Sequence, residues 1–170
     1  GCSALIFNTT GPSNTALGNQ ALFGNTTGQC NVAVGRDTLQ CNTTGIFNSA
    51  VGNNALCANQ QGDQSTAVGF DALRNQNPVG NADMNNVAVG YQAALCTTTG
   101  CQNSVVGGFE LRNNTTGFFN SVLGASALCN NTTGQDNTMV GRATGLGNTT
   151  GNSNTGLGVS ALNSATTGSH

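Results

Sequence analysis

Residues 14–30 read NTALGNQALFGNTTGQC, and the chain writes that sentence again at a fixed interval. Residues 31–47 read NVAVGRDTLQCNTTGIF and residues 48–64 NSAVGNNALCANQQGDQ. Further copies start at Ser65, Asn86, Asn103, Asn120, Asn137 and Asn154. The copy at 65–85 alone breaks the length, with four extra residues near 77–80, around Asn77, Pro78 and Val79. A constant period of this kind marks an architecture of stacked units, each too small to enclose a core alone.

With the leading asparagine as position 1, position 4 is aliphatic in every copy, from Leu17 and Val34 to Val140 and Leu157. Position 5 is always glycine, position 8 usually alanine and position 9 usually leucine, as in Leu22, Leu39, Leu56, Leu73, Leu111 and Leu128. Position 15 is glycine in eight of the nine full copies. Glycine at 5 and 15 suits corners that need a left-handed backbone or a close approach of two chains. Seventeen residues with two glycines and an NTTG turn leave no room for a helix pair.

The pattern therefore predicts an all-β chain. It is a β-solenoid of 17-residue coils, nine full and one partial, stacked parallel and in register as one domain over 1–170. Val and Leu at positions 4 and 9 are expected to form inward ladders, with the small residues at 3 or 8 letting two walls approach. Strands about 4.8 Å apart would give a rod roughly 45–50 Å long. Asparagines at position 1 (Asn14, Asn31, Asn48) and position 12 (Asn25, Asn42, Asn59) are expected to stack along the axis and hydrogen-bond there.

Composition narrows function. Only 6% of residues are charged, where a soluble protein has roughly a quarter, and lysine is absent. The cations are Arg36, Arg74, Arg112 and Arg142, and net charge is −2, which argues against nucleic acid as a partner. No apolar run approaches the ~20 residues of a membrane helix, so membrane insertion is not expected. One histidine, His170, and carboxylates scattered over separate coils supply no catalytic relay, no acid/base pair and no metal-ligand spacing. The expectation is a non-enzyme without cofactor.

Seven cysteines in a charge-poor chain favour an oxidising compartment. Cys41 and Cys57 fall near one another in successive coils, within reach of a disulfide, and Cys96 and Cys101 share a coil and can close across a corner. Cys96 and Cys129 lie two coils apart, about 9.6 Å, which is too far. An odd total leaves at least one thiol over, and Cys2 is the candidate for a link between subunits. The NTT turn is also an N-glycosylation sequon at Asn8, Asn25, Asn42, Asn114, Asn131 and Asn148, with overlapping sequons at Asn113 and Asn130. Those sites read either as a row of glycans along one edge or simply as good turns.

The pattern NTAVGxxAL…NTTG, as in residues 14–28 and 120–134, resembles repeats of surface and tail-fibre proteins of bacteria and their viruses. It is more distantly similar to the head repeats of trimeric autotransporter adhesins. The resemblance implies extracellular, fibrous and often adhesive roles. The chain opens in mid-repeat and closes at position 17, with neither end capped by charge or proline. The leading expectation is a structural protein, a subunit or segment of an extracellular filament built by head-to-tail stacking with copies of itself. The alternative is an adhesin or virion tail-fibre stalk with a host-surface or glycan target, for which Phe47, Phe118 and Phe119 offer exposed rings. A third reading, ice binding by the Thr ladders, is weakened because adjacent threonines point to opposite faces of a strand.

Overall fold

Each copy of the repeat places a three-residue strand at positions 2–4. A computed structural model describes residues 1–164 and 167–168 of the chain. In it these strands are β1 (Thr15–Leu17), β2 (Val32–Val34), β3 (Ser49–Val51), β5 (Thr66–Val68), β7 (Val87–Val89), β8 (Ser104–Val106), β9 (Ser121–Leu123), β10 (Thr138–Val140) and β11 (Thr155–Leu157). They form one nine-stranded parallel sheet in sequence order. The register advances by one repeat per strand, so Ala16 lies beside Ala33 and Val34 beside Val51. β4 (Gly62–Asp63) and β6 (Ala82–Asp83) pair separately where the long coil rejoins the stack. The protein is a β-solenoid, and no helix occurs among the described residues.

The interior corrects the expectation for the strand. Position 3 points inward: Ala33, Ala50, Ala67 and Ala88 are fully buried, with Val105, Val122 and Met139 in the same column. Position 4 points outward, Leu17 being 63% exposed and Val51 40%. Successive side chains of a strand take opposite faces, so the inward place can go to only one of the two. The small residue takes it because the fully buried position-9 leucines fill the space opposite. One coil shows the exchange directly. Where position 9 is Gly145, position 3 is Met139, and a Cβ on Gly145 would lie 2.9 Å from the Met139 sulfur. Large and small have traded places across one interior.

The position-5 glycines take φ from +112° to +148°, and at Gly52 an added Cβ would fall 2.4 Å from the carbonyl oxygen of Gly69. The position-15 glycines are there for space alone: a Cβ on Gly117 would meet Asn114 Oδ1 at 2.3 Å. In most coils three further residues turn left-handed without being glycine, at positions 7, 9 and 17. Asp37, Leu39 and Phe47 are one such set, with φ of 54°, 49° and 57°. Of the extra residues in the long coil, which were expected to loop out, Pro78 is buried beside Gly62 while Asn77, Val79 (96% exposed) and Gly80 face outward, and the strand of that coil stays in register with both neighbours.

Candidate functional site

Two buried asparagine ladders fix how one coil receives the next. At position 1, Asn31 Nδ2 donates to the Gly45 carbonyl of its own coil at 2.8 Å. Its Oδ1 accepts the backbone N–H of Asn48 at 2.9 Å. The pattern repeats up the rod, and Asn137 Oδ1 accepts from both the backbone and the side chain of Asn154 at 3.0 Å. At position 12, Asn42 Nδ2 reaches Asn25 Oδ1 at 2.7 Å, and Asn131 Nδ2 reaches Asn114 Oδ1 at 2.9 Å. Where the long coil has Ser65 at position 1, Gln76 joins the two ladders. Its Nε2 bonds Asn59 Oδ1 at 3.2 Å and Ser65 Oγ at 3.0 Å, and its Oε1 accepts from Asn86 at 2.9 Å. These buried amides are satisfied only when the neighbouring coil is present in register, which couples stacking to folding.

One rung differs. Asn154 Oδ1 is buried and has no partner, although every preceding position-1 asparagine uses that atom to accept from the following coil. Its Nδ2 is engaged normally with the Gly168 carbonyl at 2.8 Å. The free acceptor is oriented to the place where a further coil would lie.

The ladder also decides the sequons. Asn25, Asn42, Asn114, Asn131 and Asn148 are buried, and the Nδ2 that a glycan would occupy donates instead within the stack. Asn8 is half-buried, with Nδ2 bonded to the Gly11 carbonyl at 3.0 Å. The turn reading accounts for these residues, whereas the overlapping sequons place Asn113 half-buried and Asn130 on the surface.

All seven cysteines are free thiols, so the expected Cys41–Cys57 and Cys96–Cys101 bridges are not formed. The coils do pair at the first site, Cys41 N–H donating to the Cys57 carbonyl at 3.1 Å. Their side chains leave successive coils from positions 11 and 10 and differ in exposure. Cys41 is exposed, whereas Cys57 is half-buried with its sulfur 3.6 Å from Gln40 Oε1. Burial, reinforced by the neighbouring Cys41, pushes the Cys57 thiol up to about 11. Cys2 is exposed in the opening coil. His170 lies outside the described residues.

Two surface features had no place in the sequence reading. The first is the outer face of the sheet, where position 2 (Thr15, Val32, Ser49, Thr66, Val87, Ser104) and position 4 (Val51, Val68, Val106, Leu123) form two parallel outward columns. The second is a line of rings: Phe70 stacks on Tyr91 at 5.4 Å, Phe109 meets Tyr91 edge-on at 5.0 Å, and the Arg112 guanidinium lies 5.6 Å from the Phe109 ring. Aromatics at position 6 of two successive copies were the signal for it. Of the expected binding rings, Phe47 and Phe119 are exposed and Phe118 is half-buried against Phe119. Among the described residues there is no pocket and no cluster of three metal-ligating side chains. No helix there is long and apolar enough to cross a membrane.

Fold and surface together define a β-solenoid repeat protein whose distinctive chemistry is its own axial stacking. Compared with protein-family models, curated proteins and solved structures, the chain matches none.

Proposed function

We propose that this chain is a structural rod, a subunit or segment of an extracellular fibre that lengthens by adding β-solenoid coils in register. The observation that carries the reading is the position-1 asparagine ladder, in which the Oδ1 of each coil accepts the backbone N–H of the coil that follows. A buried acceptor left unmade costs about 1–3 kcal/mol, so an arriving coil that supplies a position-1 N–H gains that amount in addition to its strand pairing. The next coil can come from the same chain or from another copy, since each coil presents the same ladder to either. An extracellular setting is supported by the scarcity of charge, the absence of lysine and the resemblance to surface and tail-fibre repeats.

Electron microscopy of the purified chain under non-reducing conditions tests this. Rods longer than one chain, shortened by Asn154→Ala while the isolated chain keeps its circular dichroism, are expected. Particles of a single chain length at every concentration would refute end-to-end growth of the isolated chain.

A further inference from the structure

The outer face of the nine-stranded sheet is a second stacking surface, and its geometry identifies its occupant. Side chains at positions 2 and 4 leave the strand on the same outward face, about 7 Å apart. Column 4 is Leu or Val in every strand, from Leu17 to Leu157. Column 2 is mostly Ser or Thr, so a ridge of larger aliphatic side chains runs beside a furrow of smaller ones. No charged residue occurs in either column, although exposed aliphatic surface is ordinarily broken by charge. The long coil does not interrupt the face. Its Thr66–Val68 strand stays in register, and its extra residues fall outside the strand.

We infer that this face pairs two copies of the rod side by side, with a two-fold axis running parallel to the rods. Three features of the surface select this partner. A ligand that meets every rung alike must carry the same axial step, which a second copy does by construction. A two-fold along the rod sets the aliphatic ridge of each copy over the hydroxyl furrow of the other, whereas a two-fold across the rod would set ridge on ridge.

Charge supplies the third. Arg142 and Asp136 flank β10 on its two edges, both exposed and without an ion-pair partner among the described residues. The same two-fold, at zero axial shift, carries Arg142 of each rod to Asp136 of the other. The apposition is isologous, and the charges meet twice.

The size of the face is consistent with that partner. A sheet about 40 Å long and ~12 Å wide removes roughly 1,000 Å² in total on pairing, at the lower limit for a specific interface. One chain length then pairs weakly, and rods joined in series pair strongly because the contacts add along their length. Lateral pairing is thereby linked to growth, and the inference rests on the rod reading above for that setting.

Charge reversal tests it. Arg142→Asp and Asp136→Arg each set like charges opposed at both ends of the two-fold. Each is expected to weaken pairing at least about tenfold by sedimentation equilibrium at low salt. The double variant, carrying both reversals, restores the complementary pattern and is expected to recover wild-type pairing, which a merely structural effect of either residue would not do. Val51→Lys with Val106→Lys, two outward positions, is expected to abolish pairing with the circular dichroism unchanged.

Electron microscopy separates this proposal from the growth reading, since rod width reports pairing and rod length reports stacking. Long wild-type rods of single width would overturn the pairing and leave growth standing. Short rods of double width would uphold pairing and refute growth. Failure of the double variant to recover, or pairing that survives the lysines, would also overturn the inference. So would single rods that give thermal hysteresis, which would assign the face to ice.

Discussion

Glu110 is the residue in the wrong chemical place, and replacing it makes the sharpest test of the packing. It occupies position 8, where other coils carry Ala21, Ala55, Ala72, Ala93 or Ala127, or a threonine. The threonines are satisfied, Thr38 Oγ1 donating to the Gly52 carbonyl at 2.6 Å. Glu110 is 0% exposed, and neither carboxyl oxygen has a hydrogen-bond partner. Arg112, two residues on, does not pair with it: its guanidinium lies over Phe109, and its own Nε is unsatisfied. Cys129 in the next coil is the other titratable group that feels its charge. Burial therefore pushes the Glu110 pKa above the ordinary carboxylate value.

The sign for stability follows from that direction. The folded chain holds the proton more tightly than the unfolded one. The contribution is most favourable below the unfolded pKa of about 4.3, falls as pH rises towards the raised folded value, and is constant beyond it. An unmade buried polar group costs about 1–3 kcal/mol and more when charged, whereas losing the one methylene beyond Cβ forfeits about 0.8 kcal/mol. Above the folded pKa the first effect is the larger, and Glu110→Ala restores the residue the repeat uses elsewhere. Its Tm at pH 8 should exceed wild type by about 2–6 °C, a gain that shrinks towards pH 4. Glu110→Gln keeps the volume and removes the proton, so it should flatten the pH dependence without a cavity. Asp63, also raised by burial, contributes a slope of the same sign in all three proteins, so differences from wild type isolate Glu110. A Tm at pH 8 lowered by Glu110→Ala, or a pH slope identical in wild type and Gln variant, would refute the reasoning.

The remaining predictions concern the ladder, the corner and the thiols. Asn131→Ala removes a buried donor to Asn114 and strands its neighbours, which should cost about 1–3 kcal/mol in a denaturant titration; a change below 0.5 would show the ladder to be passive. Gly52→Ala forces a left-handed alanine against the Gly69 carbonyl and should abolish the cooperative transition, with soluble folded protein as the contrary result. At pH 8 the Cys57 thiol, lifted to about 11 from 9.0, should alkylate about a hundredfold more slowly than an unshifted thiol, and equal labelling of Cys41 and Cys57 by mass spectrometry would contradict its burial. In folded protein secreted by a glycosylating host, glycopeptide mass spectrometry should find Asn25, Asn42, Asn114, Asn131 and Asn148 unmodified, and a glycan on any of these would place the buried sequon amides outside the rod.

The parts of this fold that were legible in sequence are those where one residue type has one physical use. Glycine at position 5 announced a left-handed corner, and a recurring asparagine announced a stacking amide. The direction of the strand was not legible, because aliphatic residues occur on both of its faces. Val51 and Leu56 look alike as letters, yet one is 40% exposed and the other fully buried. The information was present one step further on, in compensation between columns. Met139 stands at position 3 in the coil that has Gly145 at position 9, an exchange of volume that fits positions 3 and 9 facing one interior. Position 4 shows no such exchange. It stays aliphatic whatever its coil carries at 3 or 9, so its constraint comes from outside the coil. Part of that constraint is the ladder itself, since Val34, Val51 and Val68 lie side by side in successive coils, and the proposed side-by-side pairing of rods would supply the rest on the half of each side chain that the ladder leaves exposed.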